Sequence, residues 1–190
     1  SNYIRTRGRT ELPDYIAKNT TFQNIHLGNN NLNDEDAVLI ARALKENSNL
    51  EVLNLHDNNF TEVGVKALRE AVYDSTSLNS IADSNHTCGI KGIHLDSVLG
   101  NPVTTPLDNR RHKLYHLLSL RNREGSNVQH LNTEFEDEDE DSLKLVPKVL
   151  AAIQHYHDAT KKSGGFVSFD RINPLSIMYE VLRGWKMPEL

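Results

Sequence analysis

Nine histidines, one cysteine and a block of carboxylates are the groups through which this 190-residue chain could do chemistry. Cys88 lies close to His86 and His94, a thiol and two imidazoles of the kind zinc prefers. The set stops short of a site, because no second close ligand pair follows at zinc spacing. His155 and His157 fall on different sides of a helix and do not chelate one ion together. Glu134 to Asp141 holds seven acidic residues and Phe135. That run could gather calcium, but it lacks the glycine and the ligand spacing of a calcium loop. The motifs that place a nucleophile, a phosphate cradle or a catalytic metal are missing: no G-x-S-x-G, no G-x-x-x-x-G-K before Ser or Thr, no H-E-x-x-H, no C-x-x-C. No catalytic, cofactor-binding or metal residue is assigned, and the expectation is a protein that is not an enzyme. The three N-x-Ser/Thr sequons, at Asn19, Asn59 and Asn85, carry little weight among twenty asparagines.

What remains is a pattern that positions side chains. Phe22, Ile25, Leu27, Asn30 and Leu32 recur as Leu50, Leu53, Leu55, Asn58 and Phe60, each pair 28 positions apart. In an extended strand alternate side chains face opposite ways, so Ile25 and Leu27, like Leu53 and Leu55, need burial while His26 and Asn54 point away. One copy cannot bury its apolar side alone. The next copy stacks beside it as a parallel strand roughly 4.8 Å away. Asn30 and Asn58 stand where the chain turns out of each strand. A buried amide there can satisfy backbone groups of its own repeat and the next, and its loss should cost about 1–3 kcal/mol. Each strand is followed by a helical signal. Asn33 and Asp34 are N-cap candidates before the stripe of Val38, Leu39, Ile40, Ala41, Ala43 and Leu44; Thr61 and Glu62 precede Val65, Leu68, Ala71 and Val72.

The written-out form, L-x-x-L-x-L-x-x-N-x-L, is similar to that of leucine-rich repeat proteins. Over residues 22–74 it resembles their ribonuclease-inhibitor type, whose repeats have this length and carry a full helix on the convex side. The resemblance implies an α/β fold, a short leucine-rich repeat solenoid with parallel strands on one side and helices on the other. It also implies that the concave strand face contacts a protein. Residues 1–20 read as the convex half of an earlier turn, with Ile4, Leu12 and Ile16 in the slots of Leu32, Ile40 and Leu44 and Pro13 confining the helix. Arg5, Arg7 and Arg9 line this end as a solvated terminus. The third copy is degraded. Leu78 and Ile81 match, but Asp83 takes the Leu55 slot, His86 the asparagine slot and Cys88 the Phe60 slot, where it is a buried small hydrophobe. Asp83 in an inward slot marks this strand as the last or as bending away.

Gly100, Pro102 and Pro106 then break the period as a loop. The expected organisation is a partial repeat at 1–20, leucine-rich repeats at 21–100 and a mainly helical C-terminal cap at 101–190. In that cap Asp108 caps a helix carrying Leu114, Leu117 and Leu118, with Arg110, Arg111, Lys113, Arg121 and Arg123 on its solvated side. Val128 to Phe135 reads as a short strand, and the acidic run 134–141 as an exposed loop. Pro147 suits the first turn of a helix with Val146, Val149, Leu150 and Ile153 on its apolar face. Phe166 to Phe169 reads as extended. Asn173 and Pro174 open a last helix with the stripe Leu175, Met178, Val181, Leu182 and Trp185.

The net charge of −5 comes mostly from the acidic run; without its seven charges the balance is +2. No broad positive field favours nucleic acid, and no stretch is apolar enough for a membrane span. A single cysteine excludes an internal disulfide framework and points to a reducing, intracellular compartment, cytoplasm or organelle. The chain starts at Ser1, so a targeting segment could already be missing. The expected function is a non-catalytic protein–protein interaction module. Its outward strand row would be Asn24 and His26, Val52, Asn54 and His56, then Ser80, Ala82 and Ser84. The alternative is a permanent accessory subunit of a larger assembly.

Overall fold

The computed structural model describes residues 4, 6, 8–94, 105–134, 140–162 and 172–184. Its elements run α1 (Glu11–Lys18), β1 (Asn24–His26), α2 (Asp34–Glu46), β2 (Val52–Asn54), α3 (Glu62–Val72), α4 (Leu78–Ala82), β3 (Gly89–Lys91), α5 (Pro106–Glu124), α6 (Asn127–Glu134), α7 (Glu140–Lys162) and α8 (Pro174–Gly184). They form two compact units, Ser1–Asp74 with Asp83–Asn109, and Ser75–Ala82 with Arg110–Leu190.

The first unit is built on a three-stranded parallel sheet in the order β1-β2-β3. Asn24 pairs with Val52, Ile25 with Leu53 and His26 with Asn54, the 28-residue offset of the sequence. Leu53 and Leu55 are fully buried and Leu27 nearly so, in one core with Leu32, Ile40, Leu44, Leu68 and Val72. Helix α2 starts at a capping box, in which the Asn33 side chain accepts from Asp36 N–H and Asp36 reaches back to Asn33 N–H. Helix α3 is capped by Thr61. The two helices meet closely at Gly64, where an added Cβ would stand 2.4 Å from Asp34 Oδ1 and 3.0 Å from Ala37 Cβ. That approach is open only to glycine. Asp34 ties the helices together. It accepts from Thr61 N–H at 2.8 Å, from Gly64 N–H at 3.1 Å and from Thr61 Oγ1 at 2.5 Å.

The chain leaves each regular strand through a residue in the left-handed region, Asn29 at φ 56° and Asp57 at φ 54°, again 28 positions apart. The next residue is the repeat asparagine. Asn58 donates to the carbonyls of Leu55 and Leu27 and accepts from Leu32 N–H at 3.1 Å. Asn30 donates to the carbonyl of Leu27 and accepts from Ile4 N–H at 3.1 Å. Each amide therefore serves its own turn and the preceding one, rather than the next. Ile4 stands to Asn30 as Leu32 stands to Asn58, and Ile16 is fully buried beside α2.

The third turn departs from the sequence expectation. Leu78 and Ile81 do not open a strand. They lie in α4, fully buried, in the second unit. The strand comes later, with Leu53 pairing with Ile90 at an offset of 37. Asn85 explains the position. Its amide donates to the carbonyls of Leu44 and Asn47 at 2.6 Å each, and its Oδ1 accepts from Thr87 and Cys88 N–H. Asn47 makes the same four contacts one turn earlier, donating to Ile16 and Asn19 and accepting from Asn49 and Leu50. Asn19 accepts from Thr21 and Phe22 N–H in turn. These three asparagines mark the strand entries. Cys88 thus takes the place of Leu50, not that of Phe60, and is buried in the core. Asp83 is exposed and His86 sits beside the entry asparagine, so neither occupies its expected slot.

In the second unit Leu114, Leu117 and Leu118 of α5 are buried as the pattern requires, but Lys113 and Arg121 are buried with them rather than solvated. Asp108 is in the first turn of α5, bonded to Thr105 Oγ1, and does not precede the helix. Residues 127–134 form a helix, not a strand. Asn127, fully buried, donates from its amide to the Leu118 carbonyl and to Glu180, and from its backbone N–H to Glu180. Glu134 is no loop residue. It closes α6 and holds Arg121 at 2.6 Å while accepting from Leu78 N–H. A buried carboxylate–guanidinium pair of this kind is costly to break from one side, by about 3–5 kcal/mol. Helix α7 starts at Glu140, so Pro147 lies inside it, with Val146, Val149 and Ile153 buried. Helix α8 does open at Pro174, but it buries Ile177 and Val181 and leaves Leu175 and Leu182 exposed. Glu140 and Asp141 of the acidic run lie in α7, and Pro106 to Asn109 of the loop expected over 96–109 lie in α5, where Pro106 takes the first helical position; residues 135–139, 95–104 and Phe166 to Phe169, with Trp185, Arg5 and Arg7, lie outside the described residues.

Candidate protein-binding face

The outward side of the sheet carries two rows across the strands. Pairing sets Asn24, Val52 and Gly89 in one, and His26, Asn54 and Lys91 in the other. Asn24, His26 and Lys91 are exposed, Val52 and Asn54 half-buried. Asn54 Oδ1 accepts from His56 N–H at 3.0 Å, which fixes the amide across the strand exit. His56 itself is exposed in the turn after β2 rather than on the strand. The remaining sequence-derived positions leave the face. Ser80 and Ala82 belong to α4, and Ser84 is buried, its Oγ accepting from Asp74 N–H at 3.2 Å. Their places are taken by Gly89 and Lys91, which the displaced third strand supplies.

The face has few chemical options. Its groups are a histidine ring, two amides and one ammonium, which donate and accept hydrogen bonds but present neither a nucleophile–base pair nor a ligand cluster. Among the described residues no group of three or more histidine, cysteine or carboxylate side chains could hold a metal ion. Cys88 is buried away from this surface. Gln23 and Glu51, bonded at 2.9 Å, flank the strand entries with a further polar pair. The residues that sequence reasoning missed here are Lys91 and the entry asparagines. Their signal was legible: Asn19, Asn47 and Asn85 each stand three positions before Phe22, Leu50 and Cys88.

Two stretches, residues 18–41 and 46–68, match the family model described as Leucine Rich repeat. They span the two regular turns, from just before β1 into α3. No curated protein and no solved structure matches the chain. Among the described residues no helix is long and apolar enough to cross a membrane.

Proposed function

We propose that this chain is a non-catalytic interaction module that binds a protein on the outward strand face of its leucine-rich repeats. One observation carries the reading. Leu27, Leu53 and Leu55 are spent on the core and Asn30 and Asn58 on the backbone, while His26 and Lys91 stand exposed on either side of the half-buried Asn54. A repeat scaffold that curves its strands inward offers such a row to a macromolecular partner. The 28-residue repeat with a helix behind each strand supports a ribonuclease-inhibitor-like solenoid. A net charge of −5 supports a protein partner over nucleic acid. The lone buried thiol fits a reducing compartment.

Crosslinking in native extract, followed by mass spectrometry, tests this. Replacing both His26→Ala and His56→Ala, or making Lys91→Glu alone, should cut partner capture at least about fivefold at unchanged fold, since these are the exposed side chains that flank Asn54 on the face. Equal capture by wild type and variants would overturn the strand-face reading.

The accessory-subunit reading draws on a different surface. Helix α8 exposes Leu175, Tyr179 and Leu182 at 54%, 64% and 61%, spaced along one side. Contacts there would be apolar and insensitive to salt, whereas contacts at the charged rim of the sheet weaken as salt rises.

A further inference from the structure

The outward row of the sheet is chemically one-sided. His26, Asn54 and Lys91 stand abreast through the pairing of β1, β2 and β3. Neighbouring strands lie about 4.8 Å apart, so the row runs about 10 Å from end to end. Asn54 Oδ1 accepts from His56 N–H at 3.0 Å and lies where a Cβ added to Gly28 would meet it at 3.4 Å. The carbonyl end of the amide is therefore turned to the strand exit, and its NH2 group, a donor, is what remains for a partner. Among the described residues that bond is the only one made by the three side chains of the row. The Lys91 ammonium donates and cannot accept, and the His26 ring offers an N–H in either tautomer.

Charge runs the same way. The two outward rows hold the Lys91 ammonium and the His26 imidazole but no carboxylate; Asn24, Val52 and Gly89 make up the second row. The carboxylates closest in sequence to Asn54 stand off the strand. Glu51 precedes β2 and is bonded by Gln23 Nε2 at 2.9 Å, and Asp57 sits in the left-handed turn that follows. Asp34, Asp36 and Glu62 belong to the first turns of α2 and α3. A cationic or donor-rich partner would leave the Asn54 NH2 and the Lys91 ammonium facing N–H groups, whereas carboxylate oxygens satisfy the whole row.

We infer that the row His26–Asn54–Lys91 is a site for an acidic peptide segment. The inference rests on the reading of this face as the binding surface and names the chemistry of its partner. In an extended segment side chains two residues apart share a side at a spacing of about 6.7 Å. A Glu-x-Glu segment laid across the strands thus brings one carboxylate to Lys91 and the Asn54 NH2 and the other, on its long stem, to His26.

The probe is the capped pentapeptide Ser-Glu-Ser-Glu-Ser at millimolar concentration, with binding followed by NMR shifts of the folded protein. The Asn54 side-chain NH2, the His26 ring and the Lys91 amide should shift on saturation. Ser-Gln-Ser-Gln-Ser should bind at least about fivefold more weakly, through the loss of two exposed charge-assisted contacts. Asn54→Asp is the sharper variant, because it keeps an oxygen for His56 N–H and exchanges the outward NH2 for a second carboxylate oxygen. Binding of the glutamyl peptide to it should fall roughly tenfold. Lys91→Met, which keeps the apolar stem, should lower binding roughly three- to fivefold and decides the matter if Asn54→Asp does not fold. Equal binding of the glutamyl and glutaminyl peptides, undiminished binding to either folded variant, or shifts confined to other groups would each overturn the inference. The strand-face reading would survive any of these results if Lys91→Glu still cut capture of the natural partner. Equal capture by wild type and Lys91→Glu, with the peptide preference intact, would instead overturn that reading and keep the row as an acidic-peptide site.

Discussion

The two regular turns and the third turn of the first unit use the same entry device and reach their strands by different routes. From Ile25 to Leu53 the chain spends 28 residues, and from Leu53 to Ile90 it spends 37. The extra length holds α4, whose Leu78 and Ile81 are buried in the other unit. Yet Asn85 grips the carbonyls of Leu44 and Asn47 just as Asn47 grips those of Ile16 and Asn19. The difference teaches that leucine spacing alone does not place a strand in this fold. A buried amide that satisfies two carbonyls behind it and two N–H groups ahead of it does, because each unpaired group would otherwise carry its full desolvation penalty.

The comparison can be broken at one glycine. Gly92, at φ +92°, leaves no room for a side chain: an added Cβ would lie 2.3 Å from His56 N. Gly92→Ala should cost about 3–4 kcal/mol from overpacking and left-handed strain together, read as a fall in the denaturant midpoint. Hydrogen exchange should show the β3 amides opening while those between β1 and β2 stay protected. Simultaneous loss of all three strands would mean that the turns do not differ in the way described.

The entry amides sharpen it next. Asn47→Ala and Asn85→Ala should each cost about 2–3 kcal/mol, since two carbonyls and two N–H groups lose their partner in both. Asn47→Ala should loosen the β1–β2 ladder, Asn85→Ala only the β2–β3 ladder. The smallest effect belongs to the regular pair alone. The hydroxyl and N–H of Thr61, with Gly64 N–H, hold the Asp34 carboxyl below its ordinary value of 3.8. A carboxyl depressed in the folded state contributes stability that is present above its unfolded pKa and lost as pH falls through the lowered folded value. Asp34→Asn should therefore lower stability slightly near neutrality and flatten the acid limb, the two curves converging toward pH 2, as measured by thermal melts from pH 7 down to pH 2.

Much of the regular pair was legible in the sequence, because one offset fixes strand, turn and helix together. Ile25 and Leu53 pair as the matched letters require, and Asn33 and Thr61 cap as their positions suggest. The third turn was not, because Leu78 and Ile81 satisfy the repeat pattern and a short buried helix equally well. In the second unit the errors share a cause. Val128 and Leu131 were too irregular for periodicity to choose between strand and helix; Asn127 and Glu180 decide it with hydrogen bonds that bring together residues 53 apart. On α8 the apolar residues surround most of the helix, so the letters could not say that Ile177 and Val181 face inward. For the candidate face, the outward placement of His26 and Asn54 followed from alternation, whereas Lys91 depended on a strand that the offset misplaced.

The entry asparagines also bear on covalent modification. Asn19, Asn59 and Asn85 all stand in glycosylation sequons, but in the folded chain the side chains of Asn19 and Asn85 are buried and their amide nitrogens already donate to backbone carbonyls. A sugar attached to either nitrogen would displace the bonds that start a strand, so oligosaccharide and fold are mutually exclusive there. Asn59 alone of the three is exposed and could carry a glycan without unmaking a turn.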